Sequence, residues 1–435
     1  MTSPELRKLM KKQTRWLIIL VYLLWGSSAF AGEIVDYSDF IRQVFAVHPE
    51  IQQQKAKVES AEANIASSRA ARLPTISIGG TYSDENRESG TTRVALPIYT
   101  FGRITNEIEL SGERYRLEEL GLLAMQNKVV RSASKLFITY VAEGRRLGVF
   151  RQNFTELSLL LERIKRRRSS GYDSHADVNS AKSRVLQSGA KAMNQEVLLR
   201  AMLGELSILY GNKISEVVPI PDGIFQLPQG IDIEEIILDQ NPRLLEAEQR
   251  INIAEREVRI ERLNNRPNIE AYASDDLTDP FKNSLDFGVT VKYDWDNLGR
   301  AVAAKVGSAE ALRRAAVSAH DLVKQDVRIQ LIKAKTTIES VEKQIAEQDL
   351  IVESLTSTKT SFIRQYEAGR KSLMELLNIY NELAEAKSQK IRLETQLYEA
   401  QIDIYSLTGS IYLAALKKDL PSQLAIINQN KSGTS

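Results

Sequence analysis

Cysteine is absent from the 435-residue chain, and histidine occurs only 3 times. Without cysteine there are no disulfides, no thiol catalysis, no Cys-ligated zinc and no lipidated N-terminal cysteine. His48, His175 and His320 lie far apart with no metal-ligand spacing, so each is read as a surface or structural side chain. Glycine (22) and proline (11) are sparse, and aromatic residues make up only 7%. Ala, Glu, Gln, Lys, Arg and Leu fill the space they leave, which is the composition of long helices. A formal charge of +2 gives no reason to expect a nucleic-acid partner. No phosphate-binding glycine loop, nucleophile elbow or paired-carboxylate motif occurs, so no enzyme, cofactor or metal site is expected. Beyond residue 32 no apolar run approaches the ~18 residues of a membrane helix. A later encounter with a bilayer must therefore take the form of a β-barrel.

The N-terminus has what the rest lacks. "LRKLMKKQTRWLIILVYLLWGSSAFA" sets a basic flank before an apolar core from Trp16 to Trp25 and ends in Ala29-Phe30-Ala31. This predicts a signal peptide over 1–31, cleaved before Gly32, with Met10 as an alternative start. An uncleaved anchor is the other reading, although the run is short for a span of ~20 residues.

The remainder repeats itself. Pro49 and Pro242 stand 193 residues apart, as do Pro74 and Pro267; "FGR" at 101–103 returns as "LGR" at 298–300. Gly171 and Gly369, and the "LYG" and "LTG" ending at 211 and 409, are offset by 198. The chain thus divides into a first repeat, 32–211, a Pro- and Gly-punctuated linker, 212–231, a second repeat, 232–410, and a C-terminal tail, 411–435, that opens with a short helical stretch and ends in the polar "NQNKSGTS". Each repeat reads as a helix (40–72; 233–265), a hairpin (74–99; 267–294), a very long helix (102–168; 298–366), a bend and a return helix (174–210; 372–408). The long helices carry sustained 4,3 spacing, from Val129 through Ala133, Leu147, Phe150 and Leu157 to Ile164, and from Val327 through Leu331 and Val341 to Tyr366. Such heptads predict coiled-coil packing. At ~1.5 Å per residue these helices run to about 100 Å, deeper than a globular core.

Four strands per chain cannot close a transmembrane barrel, since bacterial barrels need at least eight. A barrel must be shared between protomers, with Ile76/Ile78 and Val289/Val291 on its lipid side. The signal peptide, the duplicated helix–hairpin–long helix unit, the P-x-Y-x-x-G-R turn of "LPIYTFGR" and the A-G-x-x-S-L-x-E-L-L form of the second bend resemble the TolC family of outer-membrane channel proteins, over about residues 36–410. "LPIYTFGR" is most similar to members serving type I secretion. The resemblance implies a mainly α protein with a small β part: a homotrimer with a shared 12-stranded barrel in outer-membrane lipid and a long coiled-coil α-helical barrel in the periplasm. It further implies a passive duct working with a periplasmic adaptor and an inner-membrane ABC or proton-driven transporter. Small-molecule efflux is the alternative, and a non-pore periplasmic coiled-coil scaffold the remote one.

The resemblance also assigns residues. Tyr366 and Lys371 of the second repeat and Asp177 of the first match a latch that closes the periplasmic tip, with Lys371 standing where the family's best-known member has Arg. A lysine makes a point contact where arginine makes a fork. Glu375 and Asn378 match an acidic entrance ring, Asn378 lacking the second charge. Gly171 and Gly369 mark the tip bends. Lys165, Arg166, Arg167 and Arg168 beside them read as a solvated helix end or as a docking patch for an acidic face of the adaptor. Pro97, Gly102 and Arg103, with Gly299 and Arg300, are expected at the barrel–tunnel junction, with Tyr99 and Phe101 at the membrane interface.

Overall fold

The computed structural model describes residues 33–83, 87–219, 224–225, 233–276, 285–293 and 299–416. The expected signal peptide, parts of the linker and of the second hairpin and its junction, and the tail beyond 416 lie outside them. Proline decides where the first helices break. Instead of one helix over 40–72, the chain forms α1 (Tyr37–Val47) and α2 (Pro49–Ala70), with His48 extended between them. The second repeat does the same with α5 (Ile233–Gln240), Asn241 and α6 (Pro242–Leu263). Proline has no N–H to continue a helix, disfavours the helical region for the residue before it, and suits the first turn of the next.

The long elements are α3 (Arg103–Ser169, 67 residues), α4 (His175–Tyr210), α7 (Arg300–Glu367, 68 residues) and α8 (Leu373–Leu407), followed by a short α9 (Ile411–Ala415). α3 packs along α4, and α7 along α8, so each repeat makes one antiparallel coiled coil. The two coils meet where α3 lies against α8, and towards the other end α3 runs between α2 and α6. Heptad positions Val129, Ala133, Leu147, Phe150, Leu157 and Ile164 are buried, as are Val327, Leu331, Val341 and Tyr366.

Apolar side chains collect in separate clusters rather than one core. A middle cluster gathers Tyr37, Phe40, Phe137, Leu206, Phe225 and Ile402. A second joins Ile237 and Leu244 to Val327, Leu331 and Ile404. A third holds the end that carries the two bends, with Leu157, Ile164, Tyr366, Leu373, Leu376 and Leu377. Each fully buried leucine or isoleucine there contributes about 1.5–3 kcal/mol.

Strands β1 (Glu33–Val35) and β4 (Ile214–Val217) pair in parallel at the middle of the molecule. This pair has no counterpart in the repeat pattern, and β4 begins within a stretch the composition reads as linker. The larger sheet is antiparallel, in the order β2-β3-β5-β6: β2 (Thr75–Ser83), β3 (Arg87–Tyr99), β5 (Asn268–Asp276) and β6 (Asp286–Lys292). Register sorts its faces. Ile76 pairs with Val94, Val94 with Ala273 and Ala273 with Phe287, while Ala271 pairs with Val289, giving an apolar face. Ser77, Arg93, Ser274 and Asp286 align on the opposite face, next to Ala95, Tyr272 and Gly288. Ile76, Ile78, Phe287, Val289 and Val291 are exposed in the protomer, and among the described residues both edge strands, β2 and β6, have one side without a neighbouring strand. On the polar face Tyr272 lies across Gly288, where an added Cβ would sit 2.7 Å from the ring, and the Arg93 guanidinium stands 4.7 Å above the ring centroid.

Candidate functional site

The sheet passes into the long helices through left-handed glycines. Gly102 (φ 85°) precedes α3 and Gly299 (φ 77°) precedes α7, a backbone region most side chains avoid. Phe101 is left-handed as well (φ 50°), so two successive residues swing the chain from strand direction to helix axis. The Asn106 side chain donates to the Gly102 carbonyl at 2.8 Å and closes the first turn. Arg103 pairs with Glu107 at 3.4 Å, and the Tyr99 and Phe101 rings meet edge to face 4.6 Å apart. Pro97 sits in β3 where the pairing with β5 slips, as expected of a residue with no ladder N–H. Arg300 opens α7.

At the other end, two turns 198 residues apart repeat one another bond for bond. Gly171 (φ 79°) and Gly369 (φ 72°) end α3 and α7 in the left-handed conformation. Tyr172 N–H reaches the Arg167 carbonyl at 3.0 Å, and Arg370 N–H the Gln365 carbonyl at 2.8 Å, the wide bond of a Schellman motif. Capping boxes then start the return helices: Ser174 with Asp177 on α4, and Ser372 with Glu375 on α8.

These caps decide what the tip side chains can reach. Asp177 accepts from the Ser174 backbone N–H at 2.9 Å and its hydroxyl at 2.7 Å. Within the protomer it does not meet Tyr366. That role falls to Asp173, four residues earlier: the Tyr366 hydroxyl donates to Asp173 Oδ2 at 2.9 Å, and Arg167 Nε donates to the same oxygen at 3.0 Å. Arg167 also stacks over the Tyr366 ring, 4.9 Å from its centroid. Burial, with Asp173 beside it, raises the Tyr366 hydroxyl pKa well above the ordinary tyrosine range, and the Asp173 bond raises that of Arg167. Lys371 binds Glu375 Oε1 at 2.5 Å and lies over the Phe362 ring rather than reaching the first repeat. Its bond, with those from Ser372, holds the Glu375 carboxyl down to about 2. Asn378 accepts from Arg184 at 3.0 Å.

Of the basic run, Lys165 pairs with Glu162 and Arg168 touches His175, leaving Arg166 with no side-chain partner among the described residues. Sequence reasoning missed Asp173 and its pairing with Arg167. The signal for part of this was present: Ser174-x-x-Asp177 and Ser372-x-x-Glu375 are capping-box signatures, which commit both acids to their own helices.

Further contacts join the two coils. Along the α3–α8 seam Asp403 takes Arg131 at 2.8 Å and Lys135 at 2.6 Å, and Glu394 takes Arg145 at 2.7 Å; near the tip Arg163 of α3 meets Glu367 at the end of α7 at 2.6 Å. At the middle, Asn127 and Asn241 donate to the Ser406 and Leu407 carbonyls that end α8, at 2.6 and 2.8 Å. No helix among the described residues is long and apolar enough to cross a membrane.

A family model described as outer membrane efflux protein matches residues 40–207 and again 235–410. No curated protein sequence matches the chain. Solved structures share its fold at low identity. CusC is 18% identical with a TM-score of 0.77, over 88% of this chain and 94% of that one. VceC of Vibrio cholerae is 12% identical with a TM-score of 0.74, over 86% and 96%. CmeC, an outer membrane channel of Campylobacter jejuni, is 13% identical with a TM-score of 0.73, over 89% and 90%. Each repeat answers to the family separately, so the chain belongs to the outer membrane efflux protein family, as a TolC-like channel protein of the outer membrane with a large periplasmic helical part.

Proposed function

We propose that three copies assemble into a passive export duct, their sheets closing one 12-stranded barrel and their coils one periplasmic tunnel. One observation carries this reading: among the described residues the four-stranded sheet has an exposed apolar face and two open edges, yet β3 runs directly into a helix about 100 Å long. An open edge is not tolerated in lipid, and four strands cannot close on themselves. Channels of this family are trimers that work with periplasmic adaptors and inner-membrane transporters, and the tip is the end that meets them in this proposal.

In the same proposal Tyr366, Asp173 and Arg167 hold the tip closed. Lys371 and Asp177 contribute by fixing the first turns of α8 and α4. Three copies bring Glu375 and Asn378 together as an entrance ring, in which Lys371 offsets much of the Glu375 charge. The cargo reading drawn from "LPIYTFGR" is type I protein secretion; the description of the matched family favours small-molecule efflux as the second. Conductance of purified protein in a planar lipid bilayer tests the duct, and folded trimers without a pore would refute it. Deleting the gene separates the cargoes: loss of one secreted protein supports the first, sensitisation to antibiotics or metal ions the second.

A further inference from the structure

We propose that the tip binds an acidic segment of its periplasmic protein partner through three arginines with no side-chain partner within the protomer among the described residues: Arg166, Arg364 and Arg370. The inference rests on reading this end as the docking end, and it names the residues and the chemistry that recognise the partner.

The argument is an inventory of charge. The two tip segments, 162–178 and 359–375, contain five carboxylates, and every one is held within the protomer. Glu162 takes Lys165 and Glu367 takes Arg163. Asp173 takes Arg167 and the Tyr366 hydroxyl. Asp177 and Glu375 are committed to their capping boxes, Glu375 to Lys371 as well. The same contacts use up the cations Arg163, Lys165, Arg167 and Lys371, while Lys359 reaches Glu156 at 2.8 Å and Arg168 touches His175. Arg166, Arg364 and Arg370 remain exposed, with no side-chain partner among the described residues. The basic run therefore contributes one arginine without a side-chain partner among the described residues, and two come from the second repeat, where the sequence shows no such run.

Their placement is not random. Arg166 and Arg364 are repeat equivalents, each five residues before its left-handed glycine, with the carbonyl of each accepting the N–H of the helix-capping residue. Schellman bonds and capping boxes hold both turns, so the arginines stand on a fixed backbone and only their side chains have to be ordered on binding. All three are arginines, whose planar fork pairs with carboxylates in two parallel bonds. Beside them the exposed apolar groups are few, chiefly Tyr172 (76% exposed) and Met374. Insertion into a bilayer surface needs a broad apolar face, so a protein carboxylate surface fits better than lipid.

The test uses the full-length purified trimer and a synthetic helical peptide rich in Glu and Ala, followed by fluorescence anisotropy. A peptide with Gln for Glu, and phosphatidylglycerol vesicles, run in parallel. The acidic peptide should bind in a salt-dependent way, and the Gln peptide should not. Arg166→Gln/Arg364→Gln/Arg370→Gln should weaken binding by about tenfold, a few-fold for each exposed pair. Arg314→Gln/Lys333→Gln/Lys335→Gln, exposed on α7 away from the tip, should leave it unchanged. Failure of wild-type protein to bind the acidic peptide, equal losses in both triple variants, or arginine-dependent binding to vesicles in preference to peptide would each overturn the proposal. Bilayer conductance of the tip variant is read separately: it should match wild type, and its absence would count against the duct rather than the docking chemistry.

Discussion

Replacing Asp173 with asparagine should open the tip. The Asp173 side chain is only 7% exposed and serves two donors on one oxygen, Tyr366 Oη at 2.9 Å and Arg167 Nε at 3.0 Å. Asparagine keeps an acceptor but loses the charge, and hydrogen bonds to ionised groups are worth about 1.5–3 kcal/mol against roughly 1 for neutral ones. Breaking a fully buried pair costs about 3–5 kcal/mol; Arg167 is 24% exposed, and the water it retains lowers the figure. We expect about 2 kcal/mol, which multiplies the ratio of open to closed tips roughly thirtyfold at ~1.4 kcal/mol per decade, provided the network exists only in the closed state. Tyr366→Phe removes one hydrogen bond, about 1 kcal/mol and about fivefold. The two effects should combine less than additively, because both bonds end on Asp173. Asp177→Asn, confined to its own cap, should leave gating alone. Single-channel recording in planar bilayers reads the three single variants and the double variant beside wild type, with trimer melting as the control for folding. Asp173→Asn trimers of normal stability that gate like wild type would refute the reasoning, as would a larger effect from Asp177→Asn.

Three further outcomes are expected. At the entrance, Glu375→Ala should weaken block by multivalent cations, and Lys371→Ser should strengthen it by freeing the carboxylate. The folded Glu375 pKa, about 2, lies below its ordinary 4.5, so its charge and its contribution to the α8 cap are complete above about pH 4.5 and vanish as pH falls through about 2; wild-type block with a midpoint near 4.5 would contradict this. Asn241→Ala should lower the melting temperature by the equivalent of roughly 2–3 kcal/mol, since it removes the α6 cap and leaves the buried Leu407 carbonyl without its donor. An unchanged melting curve would rule out that clamp. In the sheet, Gly288→Ala should lower the heat resistance of the trimer on gels by displacing the Tyr272 ring; Gly288→Ala/Tyr272→Ala should recover part of the loss, and a double variant no better than the single one would show that the ring is not the cause.

Much of this architecture follows from local rules that any stretch of the chain obeys. Heptad spacing, the Pro49 and Pro242 breaks, strand alternation and the glycines at 102, 171, 299 and 369 each act through backbone geometry or burial of one face. Their repetition at offsets of 193 to 198 made the duplicated plan and the long coils readable from residue order alone. The capping boxes at Ser174 and Ser372 were readable in the same way. Tertiary packing decided the rest. Whether Tyr366 meets Asp173 or Asp177 depends on how the α3/α4 coil lies against the α7/α8 coil, with partners 193 residues apart in the chain. The β1–β4 pair, only 3 and 4 residues long, is too short to declare itself by alternation and exists because the core around Phe40 and Phe225 brings two distant segments together. Which arginines go without a side-chain partner among the described residues was likewise invisible in "KRRR", because charges in a row look alike until the fold has assigned each carboxylate to the one within reach.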